Sequence, residues 1–212
     1  MELKRKCTLC SAQTHFFYEE KQKKYYKCCN CSSILLDAGA YLSKEKEKNR
    51  YEEHNNNVHD TGYQNFVAPI VSAIQNKFTK EHLGLDFGAG TGPVISKLLR
   101  DNGFNIKLYD PFFWNNPTLL QDRYDYIACC EVIEHFQAPA KEFDLLRSLL
   151  KPNGSLYCMT EIYTEDIEFK KWYYKNDPTH VFFYHSKAFT WIKSHFNFST
   201  VNIQDRLVHF AT

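Results

Sequence analysis

A glycine-rich turn constrains the fold of this chain more than any other stretch. Residues 85–92 read Leu-Asp-Phe-Gly-Ala-Gly-Thr-Gly and lie between a short apolar run, His82–Phe87, and a helix-like run, Val94–Arg100. Glycines at such a turn let the backbone adopt positive φ and approach a ligand closely. A buried strand, a glycine turn and a helix in this order predict the first unit of a doubly wound α/β fold.

The rest of the chain alternates between strand-like and helix-like segments. Apolar residues at helical spacing predict an amphipathic helix over Gly62–Phe78, and Pro152-Asn153-Gly154 predicts a helix stop and a turn. The other predicted elements are strands at Ile106–Tyr109, Tyr124–Cys129 and Ser155–Met159, helices around Ala140–Leu150 and Ser186–His195, and a closing hairpin between Phe198 and Phe210. This alternation predicts a mostly parallel, Rossmann-like sheet with helices on both faces.

Two acidic residues at strand ends indicate what the turn binds. Asp86 ends the strand before the glycines, and Asp110 ends the next strand. The carboxyl ends of parallel strands meet at one edge of a sheet, where ligands bind. Asp110 is placed to bind the two hydroxyls of a ribose. A glycine turn alone does not separate the classes of nucleotide ligand, because dinucleotide folds use a similar one.

Four motifs in this order resemble those of the class I S-adenosylmethionine-dependent methyltransferases. Besides the glycine turn and Asp110, Tyr124-Asp125-Tyr126-Ile127 is similar to their fourth strand, and Leu150–Leu156 is similar to the segment that begins their fifth. The resemblance covers about residues 61–212 and implies S-adenosylmethionine as the cofactor. It also implies a cofactor site made of Asp86, Gly88, Ala89, Gly90, Gly92, Asp110 and Cys130.

One interval is shorter than the pattern of that family. Only residues 111–123 separate Asp110 from Tyr124, where the family usually has a helix, a further strand and an acid that contacts adenine. We therefore expect the sheet to be abbreviated at this edge. Phe112, Phe113 and Trp114 lie in the interval, where they can stack on the adenine base or cover the shortened edge.

A cluster of acidic and imidazole side chains follows the strand at Tyr124–Cys129. In Glu131-Val132-Ile133-Glu134-His135, a helical turn would put Glu131, Glu134 and His135 on one face. Two carboxylates and an imidazole suit a divalent cation, and without a cation or a proton the two glutamates would repel each other. In a metal-free alternative, His135 would be a general base or a substrate contact. Glu134 and His135 are the candidate catalytic residues.

This cluster is similar to a Glu-x-x-Glu-His motif in two groups of methyltransferases. Ubiquinone-pathway O-methyltransferases carry the motif, and so do the enzymes that add a terminal 2′-O-methyl group to small RNAs. The second group also has a distant histidine before an aromatic-rich segment, and here His180 begins such a segment. The resemblance therefore makes His180 a fourth metal ligand, beside Glu131, Glu134 and His135.

The ligand set and the segment before His180 indicate how this second metal would work. Two carboxylates and two imidazoles favour Mn²⁺, Fe²⁺, Co²⁺ or Zn²⁺ over Mg²⁺. Such a cation would chelate two adjacent substrate oxygens and lower the pKa of one hydroxyl. We expect residues 160–179, which are rich in aromatic side chains, to form a lid over the substrate; the alternative is that these side chains only pack in the core.

Two cysteine pairs near the N-terminus predict a zinc ribbon. Cys7-x₂-Cys10 and Cys28-x₂-Cys31 are separated by residues 11–27, a spacing that matches four-cysteine zinc sites. So short a segment cannot bury enough core to fold alone, and the metal would supply the missing stability. Cys29 is a spare neighbour. Paired cysteines without a secretory signal indicate a metal in a reducing, cytoplasmic compartment rather than disulfides.

These observations divide the chain into a zinc ribbon (1–43), a charged helix or linker (44–60) and a methyltransferase domain (61–212). A net charge of +1 and the lack of a long apolar run indicate neither a membrane protein nor a strongly basic nucleic-acid binder. We expect a metal-assisted O-methyltransferase that acts on a small molecule with adjacent hydroxyls. Two alternatives stay open: an RNA ribose 2′-O-methyltransferase, and a non-catalytic zinc-ribbon binding protein on a methyltransferase fold.

Overall fold

Two sheets organise the computed structural model, which describes residues 5–53 and 57–212. Residues 1–4 of the predicted zinc ribbon and residues 54–56 of the predicted linker lie outside the described residues. The described strands are β1 (Thr14–Glu20), β2 (Lys23–Cys28), β3 (Ile34–Leu36), β4 (Leu83–Phe87), β5 (Asn105–Tyr109), β6 (Tyr124–Cys130), β7 (Leu150–Met159), β8 (Phe182–Phe183), β9 (Thr200–Gln204) and β10 (Leu207–Ala211). The described helices are α1 (Lys44–Glu52), α2 (Thr61–Lys77), α3 (Val94–Asp101), α4 (Pro139–Ser148) and α5 (Ser186–His195).

The larger sheet has the strand order β5-β4-β6-β7-β10-β9. Strands β5, β4, β6 and β7 run parallel, and the closing hairpin of β9 and β10 adds antiparallel strands beyond β7. One face packs against α2 and α3, through Ile70 and Ile95. The other face packs against α4 and α5, through Phe143 and Phe189. The predicted doubly wound, mostly parallel sheet is therefore confirmed.

The predicted abbreviation of the sheet is confirmed as well. Strand β5 lies at the edge, and within the described parts of the chain no further strand pairs with its outer side. Residues 111–123 form a bridge between Asp110 and Trp114 and a short 3₁₀ helix, Pro117–Gln121. The chain thus returns from β5 to β6 without the additional strand and helix of the longer pattern.

The predicted turn at Pro152-Asn153-Gly154 is wrong in one respect. These residues lie inside β7, which already begins at Leu150. Asn153 has φ of +62°, and the register against β6 shifts between Tyr124 and Tyr126. Residues 151–154 form an irregularity within the strand, and pairing with β6 continues on both sides of them.

The smaller sheet has the order β1-β2-β3-β8, with every pair antiparallel. Three strands come from the predicted zinc-ribbon segment, but β8 comes from the segment that follows His180. Cys7, Cys28 and Cys31 are buried in the same apolar core as Phe143 of α4. The N-terminal segment, called here the cysteine module (residues 5–36), therefore shares its sheet and its core with the larger domain.

The charged stretch after the cysteine module is a helix. The side chain of Ser43 caps α1 by accepting a hydrogen bond from the N–H of Lys46 at 3.4 Å, as is common at N-caps. None of the residues of α1 is buried. Among the described residues, no helix combines the length and apolar character that crossing a bilayer would need.

Candidate active site

The turn between β4 and α3 requires glycine at two positions. Gly88 and Gly90 have φ of +80° and +62°, in the left-handed region that disfavours other side chains. A Cβ atom on Gly88 would lie 2.4 Å from Cγ2 of Val132, so a larger residue would also collide there. The N–H groups of Gly88 and Ala89 donate to the carbonyl oxygen of Tyr109 at 2.8 and 3.2 Å. These bonds tie the turn to the end of β5.

Asp110 fastens the same turn from its other side. Its Oδ2 accepts a hydrogen bond from the N–H of Gly90 at 3.0 Å. Its Oδ1 accepts from the N–H groups of Phe112 and Phe113 at 2.8 and 3.1 Å. An ionised carboxylate offers about four acceptor positions. Asp110 thus retains capacity to accept a bond from a ligand hydroxyl in the cleft that it lines.

Asp86 lies beneath the turn. Its carboxylate is buried and accepts a hydrogen bond from Oγ of Ser96 at 2.7 Å. Burial raises the pKa of Asp86 to about 6, although the Ser96 bond acts in the opposite direction. With Gly92, Asp86 lines a small recess beside the main cleft.

A cleft of about 1180 Å³ opens at the carboxyl ends of β4, β5 and β6. Five of the predicted cofactor residues line it: Gly88, Ala89, Gly90, Asp110 and Cys130. The opposite walls come from α1, from the start of α2 and from residues 173–180. This volume slightly exceeds the roughly 300–1,000 Å³ of ordinary small-molecule sites. It can therefore hold a nucleoside-sized ligand together with a second small molecule.

Three of the four predicted ligands of the second metal lie close together: His135 and His180 line the cleft, and Glu134 is buried next to them. One ligand atom each from Glu134, His135 and His180 lies within 4.8 Å of the others. Nε2 of His135 and Nε2 of His180 are each 4.0 Å from Oε1 of Glu134. Neighbouring ligand atoms around a cation at 2.0–2.2 Å are roughly 3.0–3.4 Å apart. The two carboxylate–imidazole distances would thus have to shorten by about 0.6–1.0 Å for the three groups to hold one ion.

Backbone carbonyls orient both imidazoles. Nδ1 of His135 lies 3.1 Å from the carbonyl oxygen of Thr179, and Nδ1 of His180 lies 2.7 Å from that of Tyr174. A carbonyl oxygen only accepts hydrogen bonds, so each Nδ1 carries the proton. In a neutral ring the lone pair is then on Nε2, the atom that faces Glu134. Metal-binding histidines are commonly fixed by this arrangement.

Glu131 is placed differently from the prediction. It does not share a helical face with Glu134, because the helical turn is a 3₁₀ helix limited to Ile133–His135 and Glu131 precedes it with φ of +52°. Its Oε1 accepts a hydrogen bond from Arg206 at 2.8 Å, and its Oε2 accepts from the hydroxyl of Tyr174 at 3.3 Å. Burial and the charge of Glu134 raise the pKa of Glu131 to about 8.

Tyr174 and Thr160 contact Glu134, which the sequence analysis did not predict, although both residues lie within the predicted lid. The Tyr174 hydroxyl donates to Oε1 of Glu134 at 2.5 Å, and the Thr160 hydroxyl donates to Oε2 of Glu134 at 3.1 Å. Glu134 is fully buried, and burial raises its pKa to about 7 against these hydrogen bonds. The only sequence signal was that Tyr174 stands among the aromatic residues of the predicted lid.

The predicted linker also contributes to the site. Tyr51, on the last turn of α1, has its ring 5.2 Å from that of His135 and 5.7 Å from that of Phe112. Phe112 and Phe113 line the cleft. Trp114 instead donates its Nε1–H to the carbonyl oxygen of Gly90 at 2.8 Å and is 42% exposed. The aromatic residues after β5 therefore divide between the cleft and the outside of the glycine turn.

The four predicted zinc-ribbon cysteines form a second cluster. Their sulfur atoms all lie within 4.8 Å of one another. The Sγ atoms of Cys7 and Cys31 are 3.7 Å apart, and those of Cys10 and Cys28 are 3.4 Å apart. These distances far exceed a disulfide bond of about 2.05 Å. They are close to the roughly 3.8 Å edge of a tetrahedron of sulfurs 2.3 Å from zinc.

Comparison with solved structures finds the same fold in several methyltransferases. One is a 1,6-didemethyltoxoflavin N1-methyltransferase from Burkholderia thailandensis, with S-adenosylhomocysteine and 1,6-didemethyltoxoflavin bound. It shares 13% identity and a TM-score of 0.57 over 93% of this chain and 99% of that chain. A SAM-dependent methyltransferase from Archaeoglobus fulgidus shares 19% identity and a TM-score of 0.53 over 66% of this chain and 71% of that chain.

Other matches are more distant. The chain spans 60% of the length of an O-methyltransferase family protein from Burkholderia thailandensis, with 13% identity and a TM-score of 0.49 over 72% of this chain. A comparison with curated proteins finds no match. The profile of the family described as "Methyltransferase domain" matches residues 35–203, which include the glycine turn, Asp110 and the Glu134 cluster. The chain therefore belongs to the methyltransferase-domain family of enzymes.

Proposed function

We propose that this protein transfers the methyl group of S-adenosylmethionine to an oxygen of a small molecule with adjacent hydroxyls. A divalent cation held by Glu134, His135 and His180 would assist the reaction. One observation carries the proposal: two imidazoles at the wall of the cleft, each with Nδ1 fixed by a backbone carbonyl, present Nε2 to one buried carboxylate. Such an arrangement is typical of metal ligands with an ordered outer shell.

The cofactor assignment is supported by the glycine turn. Gly88 and Gly90 keep the backbone free of side chains on the cleft wall, and Asp110 lies beside them with acceptor capacity for ribose hydroxyls. The Burkholderia N1-methyltransferase of the same fold binds S-adenosylhomocysteine. The methyl donor would thus lie at the ends of β4 and β5, with its sulfonium directed to the half of the cleft that His135 and His180 line.

The donor set fits a transition metal better than magnesium. Two imidazole nitrogens and one carboxylate suit Mn²⁺, Fe²⁺, Co²⁺ or Zn²⁺. Glu131 is left outside this set, because its carboxylate does not lie within 4.8 Å of all three ligand atoms and instead pairs with Arg206 at 2.8 Å. The protein would therefore supply three ligands on one side, which leaves other coordination positions for the oxygens of a substrate.

The residues of the chain would act mainly by positioning. A bound cation would supply Lewis acidity, which lowers the pKa of a coordinated hydroxyl. Tyr174 and Thr160 hold the Glu134 carboxylate by its two oxygens, and the carbonyls of Thr179 and Tyr174 hold the two imidazoles. This arrangement keeps the acceptor oxygen in a fixed place relative to the glycine turn, and fixed placement of two reactants is a large contribution to rate.

The charges around the cleft favour a small substrate over RNA. Among the described residues, two of the three lysines and arginines that line the cleft are already paired: Arg50 with Asp177 at 2.8 Å and Arg206 with Glu131 at 2.8 Å. An RNA site would require lysines and arginines available for phosphates. The two paired arginines instead stabilise contacts within the protein.

We also infer that the four-cysteine cluster binds a structural Zn²⁺. The inference is supported by the sulfur spacing described above and by two backbone contacts, since the N–H groups of Asn30 and Cys31 each donate to Sγ of Cys28 at 3.4 Å. Such bonds stabilise a thiolate, which is the form that binds metal. A closed set of four thiolates is typical of structural zinc rather than catalytic zinc.

Titration with Mn²⁺ tests the active-site proposal, because Mn²⁺ prefers nitrogen and oxygen ligands over thiolates. Wild-type protein should bind one Mn²⁺, detected by electron paramagnetic resonance. His180→Ala should weaken binding by at least about 100-fold, more than the 10–100-fold cost of losing only an outer-shell partner. His195→Ala is the matched control, because His195 is exposed on α5 and stacks on Trp191 outside the cleft.

The same samples test the reaction. With labelled S-adenosylmethionine and catechol as a probe with adjacent hydroxyls, methyl transfer should depend on added Mn²⁺ and should disappear in His180→Ala. If the wild-type protein binds S-adenosylmethionine but shows no Mn²⁺ site and no metal-dependent transfer, the metal-assisted mechanism is refuted.

A further inference from the structure

The cysteine module is joined to the active site by a strand pair. Strand β3 of the module pairs with β8, so that Ile34 lies opposite Phe183 and Leu35 lies opposite Phe182. Strand β8 begins two residues after His180, one of the candidate metal ligands. The segment that places His180 is thus part of the sheet built by the cysteine module.

Val181 makes the connection through its backbone. Its N–H donates to the carbonyl oxygen of Glu134 at 2.9 Å, and its carbonyl oxygen accepts from the N–H of Leu36 at 2.9 Å. One residue therefore bonds to the turn that carries Glu134 on one side and to β3 on the other. Because His180 precedes Val181 directly, a shift of β3 would move His180 relative to Glu134.

The cysteines determine where β3 lies. Cys31 stands in the short turn before β3, and Cys28 ends β2, its partner strand. The N–H of Cys28 also donates to the carbonyl oxygen of Ser33 at 2.9 Å. The buried centre of the module includes the side chains of Cys7, Cys28 and Cys31 beside apolar residues such as Leu9 and Ile34. A metal on these sulfurs would hold the turn that begins β3.

A second group of contacts joins the module to the lid segment that carries Tyr174. The ring of Phe169 lies 5.4 Å from that of Phe17, 5.8 Å from that of Tyr18 and 5.1 Å from that of Tyr25. Lys175, adjacent to Tyr174, is only 5% exposed and pairs with Glu20 at the end of β1. The residue whose carbonyl orients His180 is therefore also held by the module.

We propose that the four-cysteine site is a positioning device for the active site, and that Val181 is the positioning residue through which it acts. With its metal bound, the site holds β3, which holds Val181 and thereby places His180 beside Glu134 and His135. The proposal rests on the zinc site of the proposed function but not on the second metal. A positioning role explains why the cysteine module packs against the segment that carries His180 instead of forming a separate unit beside the methyltransferase domain.

Hydrogen–deuterium exchange on the full chain tests this connection. Cys10→Ser is the perturbation of choice, because Cys10 is the only partly exposed member of the cluster and its replacement disturbs packing least. Loss of zinc, verified by elemental analysis, should speed exchange of the Leu36 and Val181 amides by at least about tenfold. Exchange in β4 should stay unchanged, and so should the affinity for S-adenosylmethionine.

Two further variants separate positioning from general damage. Cys29→Ser alters the exposed neighbouring cysteine outside the cluster and should leave zinc content and exchange unchanged. Cys10→His supplies another zinc ligand and should restore zinc and the protection of Val181. Removal of zinc from the wild type with a chelator, followed by its return, should reproduce the loss and the recovery without any substitution.

The Mn²⁺ affinity of the active site provides the second measurement. It should fall by at least about tenfold in Cys10→Ser, as expected when an outer-shell partner of a ligand is lost, and recover in Cys10→His. Zinc loss without faster exchange at Val181 would overturn the positioning proposal and leave the proposed reaction untouched. Faster exchange in β4 as well, or a wild type without metal on its cysteines, would also overturn it. A wild type that shows the exchange effect but binds no Mn²⁺ would support the positioning link and refute only the second metal.

Discussion

Replacement of Gly88 by alanine should destabilise the protein more than an ordinary glycine substitution does. Two effects add at this position. A residue with a Cβ at φ of +80° costs about 1–2 kcal/mol, because the left-handed region is unfavourable for it. The new Cβ would also lie 2.4 and 2.9 Å from the two methyl groups of Val132, and such overpacking costs typically 1–3 kcal/mol. The expected loss is therefore about 2–5 kcal/mol in the free energy of unfolding.

Gly103→Ala provides the matched control. Gly103 has φ of +82°, so it experiences the same backbone cost. Its added Cβ would approach only the distal atoms of the Lys80 side chain, at 3.2 Å, and that flexible chain can move away. Urea denaturation of both variants should give a difference of about 1–3 kcal/mol, which measures the overlap with Val132.

Equal destabilisation by the two substitutions would refute this reasoning, because it would mean that Val132 moves without cost. The double variant Gly88→Ala/Val132→Ala gives an independent check. If the overlap is the cause, the cost of Gly88→Ala should shrink to the backbone cost when Val132 is already truncated. Because Val132 and Gly88 both line the cleft, calorimetry should also show weaker binding of S-adenosylmethionine to Gly88→Ala.

Three further outcomes are expected. Asp110→Ala should weaken S-adenosylmethionine binding at least about tenfold by calorimetry, since hydrogen bonds to a charged group are worth about 1.5–3 kcal/mol; unchanged affinity would contradict its role at the ribose. Burial raises the pKa of Asp86 in the folded protein to about 6, above its usual 3.8. Between these two values the folded chain binds more protons than the unfolded chain. The free energy of unfolding should therefore fall by about 3 kcal/mol as the pH rises from 4 through 6. Urea denaturation at a series of pH values should show that this fall in stability is absent in Asp86→Asn. Glu131→Gln should weaken Mn²⁺ binding by no more than about threefold, against at least about 100-fold for His180→Ala, and an equal loss in both would return Glu131 to the ligand set.

The elements that local pattern predicts well are those that bury a continuous apolar face. The strand before the glycine turn, the helix after it and the helix at Ser186–His195 all lie where the spacing of apolar residues places them. The shortened sheet edge could also be predicted, because residues 111–123 are too few for another strand and helix. In each case the information is contained in neighbouring residues.

The features that were not predicted depend on contacts between distant parts of the chain. Strand β8 has only two residues and pairs with β3, far earlier in the sequence, so no local period identifies it. Glu131 adopts a left-handed conformation without being a glycine, and only tertiary context imposes such a conformation. Tyr51 reaches the cleft from a helix with no buried residue, so the charge pattern predicted a solvated helix or linker.

Different parts of the protein build the two halves of the cleft, so cofactor binding and metal binding should depend on different residues. The cofactor half is built by the ends of β4 and β5, where Asp110 bonds to the N–H of Gly90. The half with Glu134 takes the orientation of its imidazoles from the carbonyls of Tyr174 and Thr179, in a segment held by the cysteine module. Sites that share no hydrogen-bonding partner are expected to contribute independently. A change at Asp110 should therefore act mainly on the glycine turn and on cofactor affinity, whereas loss of metal from the cysteines should affect the histidine cluster and leave the cofactor bound.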